Sequence, residues 1–223
     1  MIGKIIIIGE ARLEIDFKNN IPVATHPGGA FLNAACQIAL SGKEVIFLSE
    51  IGNDKPGKII TDSLTAAGVD ISQADRHIVK TPIVLNIDGT TSRYSAPDDG
   101  EGFDIIWPRV ESEDIIVFGG YYAVDPRIHN QLSTFIANAV ERKASIIYVP
   151  DVADDRIPRI TKVMPLIYEN LEVANRVITL PDDLNILFNH NDPERAKREN
   201  FAYYVDNYSH IENASLLADE ITK

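Results

Sequence analysis

One stretch of the chain, residues 26–35, joins a sharp turn to the start of a helix. Pro27, Gly28 and Gly29 favour a turn because such residues are poorly tolerated inside helices and strands. The first backbone N–H groups of a helix have no partner within it, so they can bind a polar or anionic ligand. Asn33 adds an amide that donates and accepts. A glycine pair alone is also typical of a strand-to-helix turn that binds nothing.

The elements on either side predict where this turn lies. Lys4–Ile8 is a continuous β-branched run, typical of a strand buried on both faces. Ala30–Leu40 is apolar and favours a helix that ends before Gly42. The connection between them is long for a βα loop, so we expect Ala11–Phe17 and Ile21–Thr25 to form β structure of their own.

A second β excursion is predicted at about residues 81–97, where two extended segments flank Asp88-Gly89. An Asp-Gly pair between such segments is a strong hairpin signal. Paired with the first excursion, at about residues 11–25, this hairpin would form a small sheet beside the main domain.

Strands and helices alternate along the rest of the chain, which predicts one α/β domain over residues 1–223, with three layers and a mainly parallel sheet. Further strands are expected at 44–49, 114–118, 144–149 and 176–179, with helices at 58–67, 126–142, 157–169 and 182–188. Phe201–Val205 suggests a short strand. Ser209–Glu212 matches a capping box, which predicts a last helix that ends near Ile221.

Composition bounds which partners, membrane spans and disulfides the protein can have. The net charge of -12 disfavours nucleic acid and anionic membrane surfaces, because an acidic protein repels phosphate groups. No apolar run approaches the roughly 20 residues needed to span a bilayer. The single cysteine, Cys36, rules out an internal disulfide. We therefore expect a cytoplasmic protein.

An ordered series of short motifs gives the chain a family resemblance. The series consists of Gly9-Glu10, Ile15-Asp16-Phe17, Gly28-Gly29-Ala30 with Asn33, Gly42, Ile51-Gly52-Asn53-Asp54 and Gly57, Leu64 with Ala67-Gly68-Val69-Asp70, and Thr81-Pro82. In this order and at these intervals, the motifs resemble the N-terminal two-thirds of a ribokinase-like sugar kinase, the PfkB carbohydrate kinase family.

This resemblance implies a ribokinase-like fold in which a sugar or nucleoside binds between the α/β domain and a small β lid. By the same resemblance, Asp16, Gly28, Gly29 and Asn33 contact the substrate hydroxyls. The chemistry agrees, because a carboxylate accepts two hydroxyl hydrogen bonds and an amide both donates and accepts. Asp16 has the alternative of being a solvated residue on a lid strand. Arg93, on the second hairpin, either reaches this pocket or faces solvent.

The chain departs from the family pattern beyond the lid. Pro150–Arg156 corresponds to an Asp-Pro-Asn-x-Arg-like segment but has the wrong spacing. At the family's Asn-x-x-Glu motif, tied to the metal and phosphate end of the site, Leu180 replaces the asparagine and Asp183 would be a shortened substitute for the glutamate. Asp182 and Asp183 also fit a helix N-cap pair.

The family's Gly-Ala-Gly-Asp motif, which holds the phosphates and takes the substrate proton, does not occur between Phe201 and Lys223. We therefore expect a sugar-binding homologue without ATP-dependent phosphotransferase activity, with no catalytic residue, metal ligand or cofactor assigned. One alternative is an active kinase using ATP and Mg²⁺, with a nucleotide site rebuilt from Asp182, Asp183 and the tail or supplied by a partner chain. The other is a structural or regulatory subunit with a vestigial pocket.

Exposed strand edges in the small sheet also predict an oligomer. Unpaired edges are commonly covered by pairing with another chain. We expect a homodimer that forms through the lid.

Overall fold

The computed structural model describes residues 3–77, 80–94, 103–154, 156–157 and 159–223. In chain order its elements are β1 (Ile5–Ile8), β2 (Arg12–Lys18), β3 (Ile21–Gly28), α1 (Ala30–Leu40), β4 (Val45–Leu48), α2 (Lys55–Ala66), β5 (Ile83–Ile87), β6 (Thr90–Tyr94), β7 (Ile115–Gly119), α3 (Pro126–Glu141), β8 (Ser145–Val149), α4 (Ile160–Val173), β9 (Arg176–Thr179), α5 (Asp183–Phe188), α6 (Pro193–Glu199), β10 (Asn207–His210) and α7 (Leu217–Ile221). Short 3-10 helices occupy Tyr121–Ala123, Phe201–Tyr203 and Ala214–Leu216.

The main sheet has six strands in the order β10-β9-β8-β7-β1-β4, and each neighbouring pair is parallel. All four isoleucines of β1 are fully buried, because the strand lies inside the sheet with both faces covered. The predicted α/β class with a mainly parallel sheet is confirmed.

Side chains of β1 alternate between two hydrophobic cores. Ile6 and Ile8 pack with buried residues of α3 and α4 on one face of the sheet. Ile5 and Ile7 pack with those of α1, α2 and α7 on the other. This alternation follows from the two-residue period of a strand and gives the three layers that the sequence predicts.

A second sheet of four strands has the order β3-β2-β5-β6. Strand β2 pairs antiparallel with β3 and parallel with β5, which joins the two excursions into one lid sheet as predicted. The first excursion was expected at about residues 11–25 and its strands cover 12–28; the second was expected at about 81–97 and its strands cover 83–94. Residues 95–97 of that prediction lie outside the described residues.

Two predictions near the C-terminus are wrong. Phe201–Val205 is not a strand; its first three residues form a 3-10 helix in which the buried Phe201 ring stacks on Tyr208, with centroids 4.6 Å apart. The strand lies further along, in β10, and includes Ser209 and His210. The predicted capping box is therefore part of a strand, and the last helix begins at Leu217.

Candidate ligand-binding site

Gly29 alone connects β3, which ends at Gly28, to α1. The prediction that Pro27 and Gly28 lie in the turn is wrong, because both residues pair with β2 as part of the strand. Gly29 has a φ of +116°, and a Cβ there would lie 2.7 Å from the carbonyl oxygen of Glu10. Gly28 lies beneath Glu14, whose Cδ would be 2.2 Å from an added Cβ. Position 29 thus requires glycine, because its φ is positive and the backbone of Glu10 lies close, whereas the atoms that crowd Gly28 belong to the Glu14 side chain. The close approach at Gly29 places the N-terminus of α1 against the end of β1.

This N-terminus opens on a cavity of about 440 Å³ between the lid sheet and the carboxyl ends of two main-sheet strands. Its walls come from β2, the start of α1, the segments after β8 and β9, and the segment before α7. The lining residues are Arg12, Glu14, Gly29, Ala30, Asn33, Gln37, Asp151, Ala153, Leu180, Pro181, Asp182, Asp183, Asn213, Ala214 and Ser215. The predicted Gly29 and Asn33 are among them, and Gly28 lies one residue away.

The lid contributes two charged side chains to the cavity. Arg12 Nε donates to Glu14 Oε1 at 2.9 Å, and Arg12 Nη1 lies 3.6 Å from Glu10 Oε2. The amide of Asn86, on β5, donates to the other oxygen of Glu14 at 3.3 Å. Burial acts to lower the pKa of Arg12, but the charges of Glu14 and Glu10 outweigh it, so the pKa is raised. The guanidinium is therefore held as a cation within a paired network.

Asp16 lies two residues further along β2 than Glu14, on the same face of the strand. Its carboxylate accepts from Asn86 at 2.8 Å and lies 3.1 Å from His26 Nε2, and 37% of the side chain is exposed. Hydrogen bonds from Asn86 and His26 lower the pKa of Asp16. The described cavity wall includes Glu14 and not Asp16, so the substrate contact assigned to Asp16 stays a prediction.

Arg93 lies in an ion-pair network instead of on the described cavity wall. Its guanidinium donates to both oxygens of Glu10 at 2.8 Å and to Asp154 at 3.0 Å, and only 9% of the side chain is exposed. Arg156 joins the network through Asp154 at 2.6 Å and Glu10 at 2.7 Å, and stacks 3.9 Å above the ring of Tyr121. The network connects the lid strand β6 to the main domain.

Asp183 closes the floor of the cavity as a buried structural residue. Its side-chain oxygens accept the backbone N–H groups of Leu180 at 2.8 Å, Val152 at 2.9 Å and Asp151 at 3.2 Å. Burial, together with the charge of Asp151, raises the pKa of Asp183 to about 7. These bonds tie the segment after β8 to the segment after β9. The side chain of Asp182 does not cap α5.

Asp151 is a lining residue that the sequence reasoning missed as a ligand contact. It has a φ of +43°, and burial raises its pKa to about 6 against the opposing charge of Arg12. Glu14 was also missed. Two signals were available. Asp151 lies two residues after the end of the buried parallel strand β8, where ligands commonly bind, and Glu14 lies two residues from Asp16.

The described ranges contain no group of three or more His, Cys, Asp or Glu side chains arranged to hold a metal ion. No helix in the same ranges is long and apolar enough to cross a bilayer.

Comparison with known proteins places the chain in a family context. A sequence profile described as "pfkB family carbohydrate kinase" matches residues 6–203. The Pyrococcus horikoshii protein named "Putative sugar kinase PH1459" is 31% identical over 134 residues, which cover 52% of this chain and 42% of that protein. The match thus spans less than half the length of this curated relative.

Two crystal structures share the fold. Aminoimidazole riboside kinase from Salmonella enterica, solved with aminoimidazole riboside and an ATP analogue, has a TM-score of 0.79 at 17% identity; the match covers 92% of this chain and 69% of that one. Fructokinase from Vibrio cholerae O395, solved with fructose, ADP and calcium, has a TM-score of 0.77 at 17% identity, covering 88% and 66%. At these identities the likeness shows the ribokinase-like fold alone.

Proposed function

Because the chain belongs to the pfkB family of carbohydrate kinases, we propose that the cavity beneath the lid sheet binds a sugar or nucleoside. The observation that carries this proposal is the convergence of polar groups from both sheets on one space of about 440 Å³. That volume falls in the range of about 300–1,000 Å³ that is usual for small-molecule sites.

The polar groups around the cavity suit hydroxyl recognition, because a hydroxyl both donates and accepts. Asn33 supplies a donor and an acceptor on an exposed face of α1, and the first N–H groups of this helix supply further donors. Glu14 supplies acceptor oxygens whose direction is fixed by Arg12 and Asn86. A ligand here would exchange bonds to water for several bonds from a preorganised wall.

Within the same proposal, residues 1–223 do not transfer a phosphoryl group by themselves. Phosphoryl transfer depends on a metal ion and on charge stabilisation at the phosphates. The oxygens of Asp183 are already taken up by three backbone N–H groups, and the side chain has an exposure of 1%, which disfavours a metal-binding role. Leu180, at the position of the family's asparagine, adds only an apolar surface to the wall.

Calorimetric titration of the purified protein with D-ribose, D-fructose, adenosine and ATP–Mg²⁺ tests both parts of the proposal. We expect a sugar or nucleoside to bind and no ADP to form when ATP and that ligand are present together. ADP formed in proportion to ligand consumed would instead establish the kinase alternative. An absence of binding across the sugar and nucleoside panel would favour a structural or regulatory subunit.

The homodimer through the lid remains part of this proposal. Strand β3 forms one edge of the lid sheet, and its side chains Ile21 and Val23 are 63% and 61% exposed. A partner lid would cover these apolar side chains and the unpaired backbone of the edge. Sedimentation equilibrium at micromolar concentration should give twice the chain mass, and Val23→Lys should return the single mass. A wild-type protein of single mass would contradict the dimer.

A further inference from the structure

Hydrogen bonds around Asp151 fix its backbone conformation on the cavity wall, and with it the position of its carboxylate. Its positive φ of 43° is uncommon for a residue other than glycine, and its N–H donates to Asp183 Oδ2 at 3.2 Å. On the preceding residues, the carbonyl groups of Val149 and Pro150 both accept from the N–H of Gly120 at 3.2 Å. Bonds from two neighbouring segments thus hold the backbone in this conformation and determine where the carboxylate lies.

Among the residues that the structure describes, none donates a hydrogen bond to the Asp151 carboxylate or forms an ion pair with it within 4 Å; Arg12 and Arg93 act on it only through their charges. Two other carboxylates of the lining, Glu14 and Asp183, differ in this respect, whereas that of Asp182 is exposed at the rim. Glu14 is bonded to Arg12 and Asn86, and Asp183 accepts three backbone N–H groups. Asp151 therefore retains its full capacity to accept hydrogen bonds from a molecule in the cavity.

The charges around the cavity favour a ligand that carries a positively charged hydrogen-bond donor. The described lining carries four carboxylates and one guanidinium: Glu14, Asp151, Asp182 and Asp183 against Arg12. That guanidinium is already paired with Glu14 at 2.9 Å and lies 3.6 Å from Glu10. A ligand bearing an ammonium group gains from this field, whereas a carboxylate or phosphate on the ligand is repelled.

We propose that Asp151 contacts the ligand directly and selects a sugar or nucleoside that carries a basic amino group, whose ammonium donates to this carboxylate. The inference rests on the proposed function, since it concerns the ligand of the same cavity. Neutral sugars remain weaker ligands, because a hydroxyl donates without neutralising the charge.

The pH dependence of binding follows from the groups that face Asp151. Burial raises its pKa to about 6, and Asp154 and Glu10 act in the same direction, while Arg12 and Arg93 oppose them. The carboxylate is therefore mostly ionised at pH 7 and protonated at pH 5. Affinity for an amino sugar should fall between these two values, because the protonated acid offers no charge to the ammonium. Asp183, with a pKa of about 7, titrates in the same window, so a variant of Asp151 is needed to separate the two.

The test compares matched ligands by calorimetry at pH 7: D-glucosamine, D-glucose and D-glucuronate, with the corresponding galactose series. We expect the amino sugar of a series to bind about tenfold more tightly than its neutral parent, and the acid to give no measurable heat. Asp151→Asn should abolish the preference. Asparagine tolerates positive φ, so this variant is expected to fold normally. Asp88→Asn makes the same change at a φ of +45° in the exposed hairpin turn and should retain the preference.

Each outcome bears on a different statement. Equal affinity for amino and neutral sugars, unchanged in Asp151→Asn, overturns the inference and leaves the proposed function standing. If no sugar of either series binds, and ribose, fructose and adenosine also fail, the proposed function falls and the inference falls with it. Should Asp151→Asn unfold, the wild-type pH series decides: an affinity for the amino sugar that is the same at pH 5 and pH 7 overturns the inference.

Discussion

Arg93 and Glu10 form a two-pronged ion pair, in which Nη1 and Nη2 of the arginine each lie 2.8 Å from a different oxygen of the glutamate. Arg93 belongs to β6 of the lid, and Glu10 follows β1 of the main sheet. The planar fork of a guanidinium matches a carboxylate in a way that an ammonium cannot. This pair, with Asp154 and Arg156, fixes where the lid stands relative to the main domain.

Replacing Arg93 by lysine should loosen the lid. The charge remains, but one of the two hydrogen bonds to Glu10 is lost, so we expect the free energy of unfolding to fall by about 1–3 kcal/mol. Hydrogen exchange in β5 and β6 should accelerate more than exchange in β1. Arg195→Lys, at the exposed pair with Glu199, is the control and should change neither quantity. Equal exchange rates in the two proteins would contradict a fixing role.

Replacing Asp183 by asparagine should destabilise the protein. The amide has only one acceptor oxygen, and its NH₂ group faces backbone donors, so at least one of three buried N–H groups loses its partner. The expected loss is about 1–3 kcal/mol in urea unfolding. Asp182→Asn removes the same charge at the neighbouring exposed residue and should have little effect. If Asp183→Asn unfolded at the same urea concentration as the wild type, these hydrogen bonds would contribute little to stability.

The stability gained from Asp183 should depend on pH. Its pKa is about 7 in the folded protein, whereas an unfolded aspartate has a pKa of about 3.9. Between these values the folded state binds more protons than the unfolded state, so the free energy of unfolding decreases as pH rises. The difference between wild type and Asp183→Asn should therefore be smaller at pH 7.5 than at pH 4.5. Urea unfolding at both pH values measures this difference in the free energy of unfolding. A difference that is larger at pH 7.5 than at pH 4.5 would contradict a raised pKa of Asp183.

Gly29→Ala should be costlier than the same change at an open glycine. Its φ of +116° suits glycine alone, and the new Cβ would lie 2.7 Å from the Glu10 carbonyl oxygen, so we expect a loss of about 1–3 kcal/mol. Gly42→Ala, at φ +88° with no heavy atom within 4 Å of the new Cβ, introduces backbone strain without the clash. Thermal melting compares the two. Equal losses would mean that the clash is relieved by a small shift.

Asn33→Ala should weaken ligand binding without affecting the fold. The side chain is exposed on the cavity wall, so its removal leaves no buried group unpaired. One lost hydrogen bond to a ligand hydroxyl corresponds to about tenfold in affinity. Calorimetry with whichever sugar binds the wild type measures the change. An unchanged affinity, with an unchanged melting temperature, would remove Asn33 from the site.

Much of the fold follows from local patterns. The β-branched runs at β1 and β9 and the apolar run of α1 give elements whose bounds the structure reproduces to within a residue. Asp88-Gly89 correctly predicts the hairpin between β5 and β6. Phe201–Val205 misled because an aromatic run suggests a strand, whereas Phe201 is held by stacking on Tyr208 from another element. A tertiary contact of that kind has no local signature.

The site was predicted less completely than the fold. Gly29 and Asn33 line the cavity, and they were singled out because a helix start is read from consecutive residues; their contact with a ligand stays a prediction. Glu14 was missed because alternation along β2 assigns it and Asp16 to the same face without saying which lies nearer the cavity. Asp151 was missed because its position on the cavity wall depends on its own bond to Asp183 and on the bonds that Val149 and Pro150 accept from Gly120, and both partners are distant in sequence.

The parallel pairing of β2 with β5 also bears on the order in which the protein assembles. Asp16 and Asn86, bonded across this pair, are 70 positions apart. As the chain leaves the ribosome, β2 and β3 are made first. The edge of β2 that later pairs with β5 stays unpaired until β5 has been synthesised. Long-range pairing of this kind is slow, so the lid sheet is expected to be completed only after α1 and α2, which lie between β3 and β5 in the chain, have been made.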